Sequence, residues 1–234
     1  MKIRLSKVEI IDYPENPYAV IEDAARICYQ SDNFKTKNSA KKITQKLIKN
    51  GHHTPLEFVN FTINIITDRG IMAELTRHRL ISFCIESTRW CSYNKDKFNN
   101  ELTFIIPSEI ELTRYLKQEL DNKEVVSFSE IDIDIFKRIS KFAKQWIETM
   151  QILESTYLEL TNNNIKPELA RSILPNSLKT EIQFRINLRE LRYLLELRSK
   201  RNCHPDMRYI IKDMYMQLML KFSELFKDLD VNLI

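Results

Sequence analysis

Between Arg77 and Trp90, the 234-residue chain places three arginines, one histidine and two serines within fourteen residues, interleaved with apolar side chains. The run is Arg77-His78-Arg79, then Leu80-Ile81-Ser82-Phe83-Cys84-Ile85-Glu86, then Ser87-Thr88-Arg89-Trp90. A guanidinium grips phosphate or carboxylate through paired hydrogen bonds and stacks on flat rings. This mixture suits an anionic ligand that also carries an aromatic ring, such as a nucleotide. For a lone Arg-His-Arg triplet, a charged face at the end of a helix is the simpler use.

A second group lies downstream. Arg171 sits in Pro167-Glu168-Leu169-Ala170-Arg171-Ser172-Ile173-Leu174-Pro175, Arg189, Tyr193 and Arg198 follow one another, and His204 comes just after Cys203. Eleven of the 15 arginines fall in windows 69–89 and 171–208, against only Lys179 and Lys200 of the 21 lysines. Concentrated arginine fits specific anion recognition better than a diffuse nucleic-acid footprint, in which lysine would share the work. The two glycines, Gly51 and Gly70, exclude a GxGxxG fingerprint and a P-loop. A nucleotide must therefore be held by side chains and helix ends. Upstream, Gly51-His52-His53-Thr54-Pro55-Leu56-Glu57 joins a predicted helix to a strand. Adjacent histidines point apart, and no CxxC or HExxH accompanies them, so a hydrogen-bonding turn beside a ligand is expected and no metal.

Residues 2–12 read as a strand. Asn16-Pro17 supplies an N-cap and a first-turn proline for a helix to Tyr29, with Val20, Ile21, Ala24, Ala25 and Ile27 inward. After a loop at Lys35–Ser39 comes a helix to Asn50, striped by Ile43, Leu47 and Ile48, which Gly51 ends in a left-handed cap. Residues 58–66 alternate as a strand through Val59, Phe61, Ile63 and Ile65. Asp68-Arg69-Gly70 reads as a turn, then a helix from Ile71 carries Glu74, Arg77 and His78 near one face. The arginine-rich run is expected to leave that helix as a loop, with backbone amides at 85–89 open to a ligand. Further on come a loop at Lys95–Asn100, a strand at Leu102–Ile106, a helix over Glu111–Leu120 within a peripheral insertion at 108–128, and one long amphipathic helix from Ser129 to Leu160. That helix is striped by Ile135, Ile139, Phe142, Trp146, Met150, Leu153 and Tyr157. A strand at Thr180–Asn187 precedes a helix from Leu188, with Asn187 as N-cap and Glu190 in capping-box position. The last helix runs from Pro205 to about Leu229 through Met207, Ile211, Met214, Leu218 and Leu225. The whole is an α+β chain: an antiparallel sheet packed with helices, in a single domain over 1–234.

Arg-His-Arg, seven residues, Ser, then Arg and an aromatic resembles the signature of the flavin-dependent thymidylate synthases. The segment His52-x-Thr54-Pro55-x-Glu57, the element Ala170-Arg171-x-x-Leu174-Pro175 and the run from Asn187 to His204 follow in that family's order. The resemblance implies reductive methylation of dUMP to dTMP, with 5,10-methylenetetrahydrofolate as carbon donor, NADPH as reductant and bound FAD. It implies that Glu74, Leu75, Thr76, Arg77, Ile85, Glu86, Ser87, Thr88, Arg89, Arg171 and Arg198 hold dUMP. It implies that His52, Thr54, Glu57, Arg77, His78, Arg79, Ile85, Asn187, Leu188, Arg189, Tyr193 and His204 lie against FAD. Arg198 corresponds to the arginine that promotes ionisation of the uracil ring, a fixed cation beside developing negative charge. The family assembles as a homotetramer with shared active sites. Cys84-Ile85 stands where many members have Asn-Glu, and Trp90 replaces the usual Tyr.

The competing class is a non-catalytic, arginine-rich nucleic-acid-binding module, which predicts steep salt dependence and no chromophore. A nucleophilic Cys84 or Cys91 is disfavoured, because the family forms no enzyme–uracil bond. Net charge is a mild +4, and the cysteines Cys28, Cys84, Cys91 and Cys203 show no zinc spacing. With no run of membrane-spanning length and no signal peptide visible, a cytoplasmic enzyme of small molecules is expected, touching neither nucleic acid nor membrane.

Overall fold

A computed structural model describes residues 1–95, 98–131 and 133–232. Parts of the expected loop at Lys95–Asn100 and of the expected helix from Ser129 lie outside the described residues. In chain order the elements are β1 (Lys2–Arg4), β2 (Lys7–Asp12), α1 (Pro17–Ile27), α2 (Ser39–Lys49), β3 (Asn60–Asp68), α3 (Arg69–Leu75), β4 (Ile81–Ile85), β5 (Thr103–Ile105), α4 (Glu111–Lys123), β6 (Val126–Ser127), α5 (Ile133–Arg138), α6 (Lys141–Asn162), α7 (Pro167–Ala170), β7 (Lys179–Asn187), α8 (Leu188–Arg198) and α9 (Pro205–Phe226). The class is α+β, as expected. The chain resolves into two compact units: residues 1–7, 66–75 and 85–182, and residues 8–65, 76–84 and 183–234.

In the first unit a three-stranded sheet has the order β5-β1-β6. β1 runs parallel to β5, with Ile3 opposite Phe104, and antiparallel to β6, with Ile3 opposite Val126. Ile3 lies in a cluster with Leu112, Leu116 and Leu120 of α4 and Ala143 and Ile147 of α6. The segment expected at the periphery thus contributes three leucines that are at most 4% exposed. Each stabilises the unit by roughly 1.5–3 kcal/mol of burial. Further along α6, Met150 and Tyr157 close a second cluster over Phe104 and Leu178. The expected long helix is broken before α6. The Ser140 hydroxyl accepts the Ala143 amide (3.2 Å), and this N-cap starts a new helix. Phe142, on the expected apolar stripe, is 65% exposed, and Ala143 and Ile147 take the buried face.

The second unit holds most of a four-stranded sheet of order β2-β3-β7-β4. The predicted strand 2–12 is therefore two strands in two sheets. Phe61 on β3 meets Phe222 and Phe226 of α9 edge-on at 5.9 and 6.3 Å. Met207, Ile211, Met214, Leu218 and Leu225 are all buried, as the helical period requires. Asn16 caps α1 by accepting the Ala19 amide, and Gly51 has φ +70. Ile27 is not inward but 64% exposed, whereas Glu22 and Arg26, one turn apart, form a buried ion pair. Arg26 also donates to the Ser31 and Phe34 carbonyls, so the pair fixes the chain after α1.

Candidate functional site

Two clusters of the predicted residues form, one in each unit. In the first unit, Asp68 does not enter a turn. Its Oδ1 accepts the Ile71 amide (2.8 Å) and caps α3 directly at the end of β3. Glu74 lies on α3, and Leu75 ends it with a fully buried side chain, so Leu75 can offer a ligand only its backbone. The arginine-rich run is not a loop to its end. Ile81, Phe83 and Ile85 alternate with Ser82 and Cys84 in β4. The Glu86 amide donates to the Glu181 carbonyl (2.9 Å), and the Arg89 amide to Ser87 Oγ (3.3 Å), so two of the expected open amides are engaged.

The Glu86 carboxylate accepts from Lys179 Nζ (2.7 Å) and from the Tyr93 hydroxyl (2.9 Å). Burial, then the charge of Glu86 and the hydrogen bond to it, push the Tyr93 phenol well above its usual range, so it stays a donor. Lys2, Arg4, Glu86, Tyr93 and Lys179 line a cavity of about 410 Å³. Arg89 donates to Glu168 at 3.1 Å and stacks over Trp90 at 5.1 Å. Arg171 Nη1 donates to the buried Thr88 hydroxyl (3.5 Å). The turn at 87–90 and the short helical segment at 167–173 are thereby brought together, with both guanidiniums on exposed side chains.

In the second unit, α8 organises the cluster. The Asn187 side chain accepts the Glu190 amide (2.9 Å), as the capping pattern predicts. The Glu190 carboxylate turns to His78, with Oε1 3.1 Å from Nδ1. Arg198 Nε donates to His78 Nε2 (3.0 Å). Guanidinium nitrogens only donate, so Nε2 is the acceptor and Nδ1 carries the proton of a neutral imidazole. His78 is 6% exposed, and the Tyr193 ring meets it edge-on at 6.2 Å. Because α3 ends at Leu75, His78 and Arg77 are not on that helix. They lie in the segment before β4, with Thr76, Arg77 and Arg79 exposed.

Glu57, in the 3-10 turn Thr54–Phe58, pairs with Arg189 at 2.7 Å. Glu57, Asn187, Arg189 and Tyr193 line a recess of about 520 Å³, and His52, Thr54 and Arg189 help line a larger cavity of about 760 Å³ between α1 and α2. Leu188 is buried and gives its amide to the Val59 carbonyl (2.8 Å), so it supports the turn. His204 Nδ1 accepts the Asp206 amide (3.2 Å) as the N-cap of α9, a local use. Within that unit, Arg192 is buried and pairs with Asp228, a structural arginine inside the expected binding window. Among the described residues, no group of three or more His, Cys, Asp or Glu is arranged to hold a metal.

Sequence reasoning missed Lys179, Tyr93 and the side-chain role of Glu190. Lys179 was visible as one of only two lysines within the arginine windows, on the polar face of β7. Glu190 was visible only as a capping residue.

A family model described as thymidylate synthase complementing protein matches residues 9–222. The chain is 25% identical over 229 residues to a flavin-dependent thymidylate synthase of Geobacter sulfurreducens, covering 95% of this chain and 86% of that one. It is 28% identical to the enzyme of that name from Helicobacter pylori strain J99, covering 94% and 98%. The structure of the Helicobacter pylori flavin-dependent thymidylate synthase complexed with FAD and dUMP superimposes with TM-score 0.68 and 25% identity over 95% of this chain and 98% of that one. A UMP/dUMP methylase of Streptomyces cacaoi bound with 5-Br dUMP shares the fold, with TM-score 0.71 and 21% identity over 96% and 95%. The chain belongs to the thymidylate synthase complementing protein family, that of the flavin-dependent thymidylate synthases.

Proposed function

We propose that this protein converts dUMP to dTMP, using 5,10-methylenetetrahydrofolate as carbon donor and NADPH as reductant, with FAD as resident cofactor. The observation that carries the reading is the Arg198–His78 hydrogen bond: it joins the arginine proposed to polarise the uracil to the histidine of the signature. A methylene group becomes a methyl by gaining one hydride. If NADPH supplies that hydride, the folate leaves as tetrahydrofolate.

FAD, when bound, supplies the redox chemistry. The second unit suits it. The exposed Arg77 and Arg79 offer cations for a pyrophosphate, and the cavity of about 760 Å³ combines apolar Ile43, Leu47 and Pro55 with His52, Thr54 and Arg189. Glu57, His78, Asn187 and Tyr193 complete the FAD set, with Leu188 supporting the turn behind it and Ile85 and His204 at its margin. For dUMP, Arg89, Arg171, Ser87 and Thr88 bind the anionic end, with Glu74, Leu75, Thr76, Arg77, Ile85 and Glu86 as further contacts. Glu86 joins only if Lys179 or Tyr93 yields. Arg198 stabilises negative charge developing on the pyrimidine.

The family match runs through both units, which supports one functional domain over 1–234. The homotetramer with shared sites belongs to the same reading, and the exposed apolar side chains of α6 (Phe142, Ile152) and α9 (Met216, Leu220) are available for contact with other copies of the chain. Four free cysteines suit the cytoplasm, and no described helix is long and apolar enough to cross a membrane. The test is an anaerobic dTMP assay in which dUMP, the folate, NADPH and FAD are omitted one at a time. Formation only in the complete mixture, with tetrahydrofolate as co-product, is expected. Sustained formation without NADPH or any other reductant would overturn the assignment.

A further inference from the structure

We propose that Glu190 is a positioning residue that acts through His78 to aim Arg198. The inference rests on the role given to Arg198 above. Glu190 and Arg198 lie on the same helix, eight residues and therefore about 12 Å of rise apart, so they cannot touch each other. His78 spans the gap. Its Nδ1–H donates to Glu190 Oε1 at 3.1 Å, and its Nε2 lone pair accepts the Arg198 Nε–H at 3.0 Å. All three groups belong to one compact unit, and His78 and Glu190 are 6% and 9% exposed.

The device works through the tautomer. The neutral side chain of a histidine free in water favours the proton on Nε2. In that form Nε2–H would face Nε–H of Arg198, donor against donor, and the guanidinium would have to turn away. Glu190 holds the proton on Nδ1 and so presents the lone pair to Arg198. Only an acceptor oxygen is needed for this, not a charge. The Glu190 backbone amide, bonded to Asn187, caps α8 independently of the carboxylate. The two roles can therefore be separated by changing the side chain alone.

The first test is the nitrogen-15 NMR spectrum of the imidazoles in the ligand-free full chain, at a pH above the histidine range. His78 is assigned by the resonance lost in His78→Gln. The Nδ1–H tautomer is expected in the native protein and in Glu190→Gln, and the Nε2–H form in Glu190→Leu. The second test is kinetic. Glu190→Leu should lower kcat about tenfold or more, with the KM for dUMP and FAD occupancy within about twofold, since misaiming a positioned group costs rate more than binding. Glu190→Gln should restore kcat to within about threefold, and Glu190→Leu combined with Arg198→Ala should be no slower than Arg198→Ala alone. The proposal is overturned by an Nε2–H tautomer in the native protein, by Glu190→Gln as impaired as Glu190→Leu, or by additive losses in the double variant. If Glu190→Leu does not fold, the native tautomer and the Glu190→Gln kinetics decide. A protein with the expected tautomers that makes no dTMP would overturn the proposed activity while supporting the relay.

Discussion

The two arginine clusters differ in how their cations are held. Arg198 is fixed by a buried histidine that is itself fixed by a nearly buried carboxylate. Arg89 reaches Glu168 with side chains 56% and 39% exposed, and Arg171 reaches the Thr88 hydroxyl at 3.5 Å. Exposed ion pairs contribute little to stability and yield easily to a competing anion. Buried, fully bonded groups keep their geometry. The exposed pair is suited to catching a phosphate, and the buried chain to holding one cation still while charge develops.

Substitutions can break or sharpen this contrast. Arg198→Ala should have the largest effect, a fall in kcat of about 100-fold or more with FAD retained, read in a steady-state dTMP assay and by flavin absorbance. A change confined to KM would place Arg198 with the binding arginines instead. Arg89→Ala and Arg171→Ala should raise the KM for dUMP by about 10–100-fold, the loss of charge-assisted bonds, with kcat changed only a few-fold. Arg89→Lys should recover only part, because lysine lacks the planar fork. A smaller effect concerns Arg192, the structural arginine of α8. Burial would raise the Asp228 carboxyl, but the hydrogen bond and charge of Arg192, with a backbone hydrogen bond and the charge of His53, together outweigh it and hold Asp228 below its ordinary value. The stability this contributes is fully present above the unfolded Asp value, about 3.9, and is lost as pH falls through the depressed folded value. Asp228→Asn should therefore lower Tm at neutral pH and flatten its decline in acid, as followed by thermal melts across pH. The smallest effect is expected for Cys84→Ala, with turnover within about twofold of native. Loss of dTMP formation with the fold and FAD intact would restore the nucleophilic cysteine to consideration.

Much of this was legible in the residues. The alternation of β3, the Asn187 cap, the Gly51 terminator and the stripe of α9 all follow local rules, and the structure keeps them. What escaped were choices settled by single side chains or distant partners. Ser140 caps where the apolar period would have continued the helix, and Asp68 caps where Asp-Arg-Gly reads as a turn. The period-two pattern of Ile81, Phe83 and Ile85 was present, but charged flanks on both sides disguised it. In the candidate site, the arginines announced themselves by type. Their partners did not, since Glu190 and His78 are 112 residues apart, and Lys179 and Glu86 are 93. Nor did type alone separate the exposed Arg189 from the buried Arg192 three residues later on the same helix.

The most direct measurement is the visible absorption spectrum of the purified full chain after adding FAD and removing the unbound excess, then anaerobically after NADPH and dUMP. Retained flavin bands that bleach on reduction are predicted. A folded protein that stays colourless after incubation with excess FAD and its removal would contradict the account, and its arginines would then have to serve some other anion.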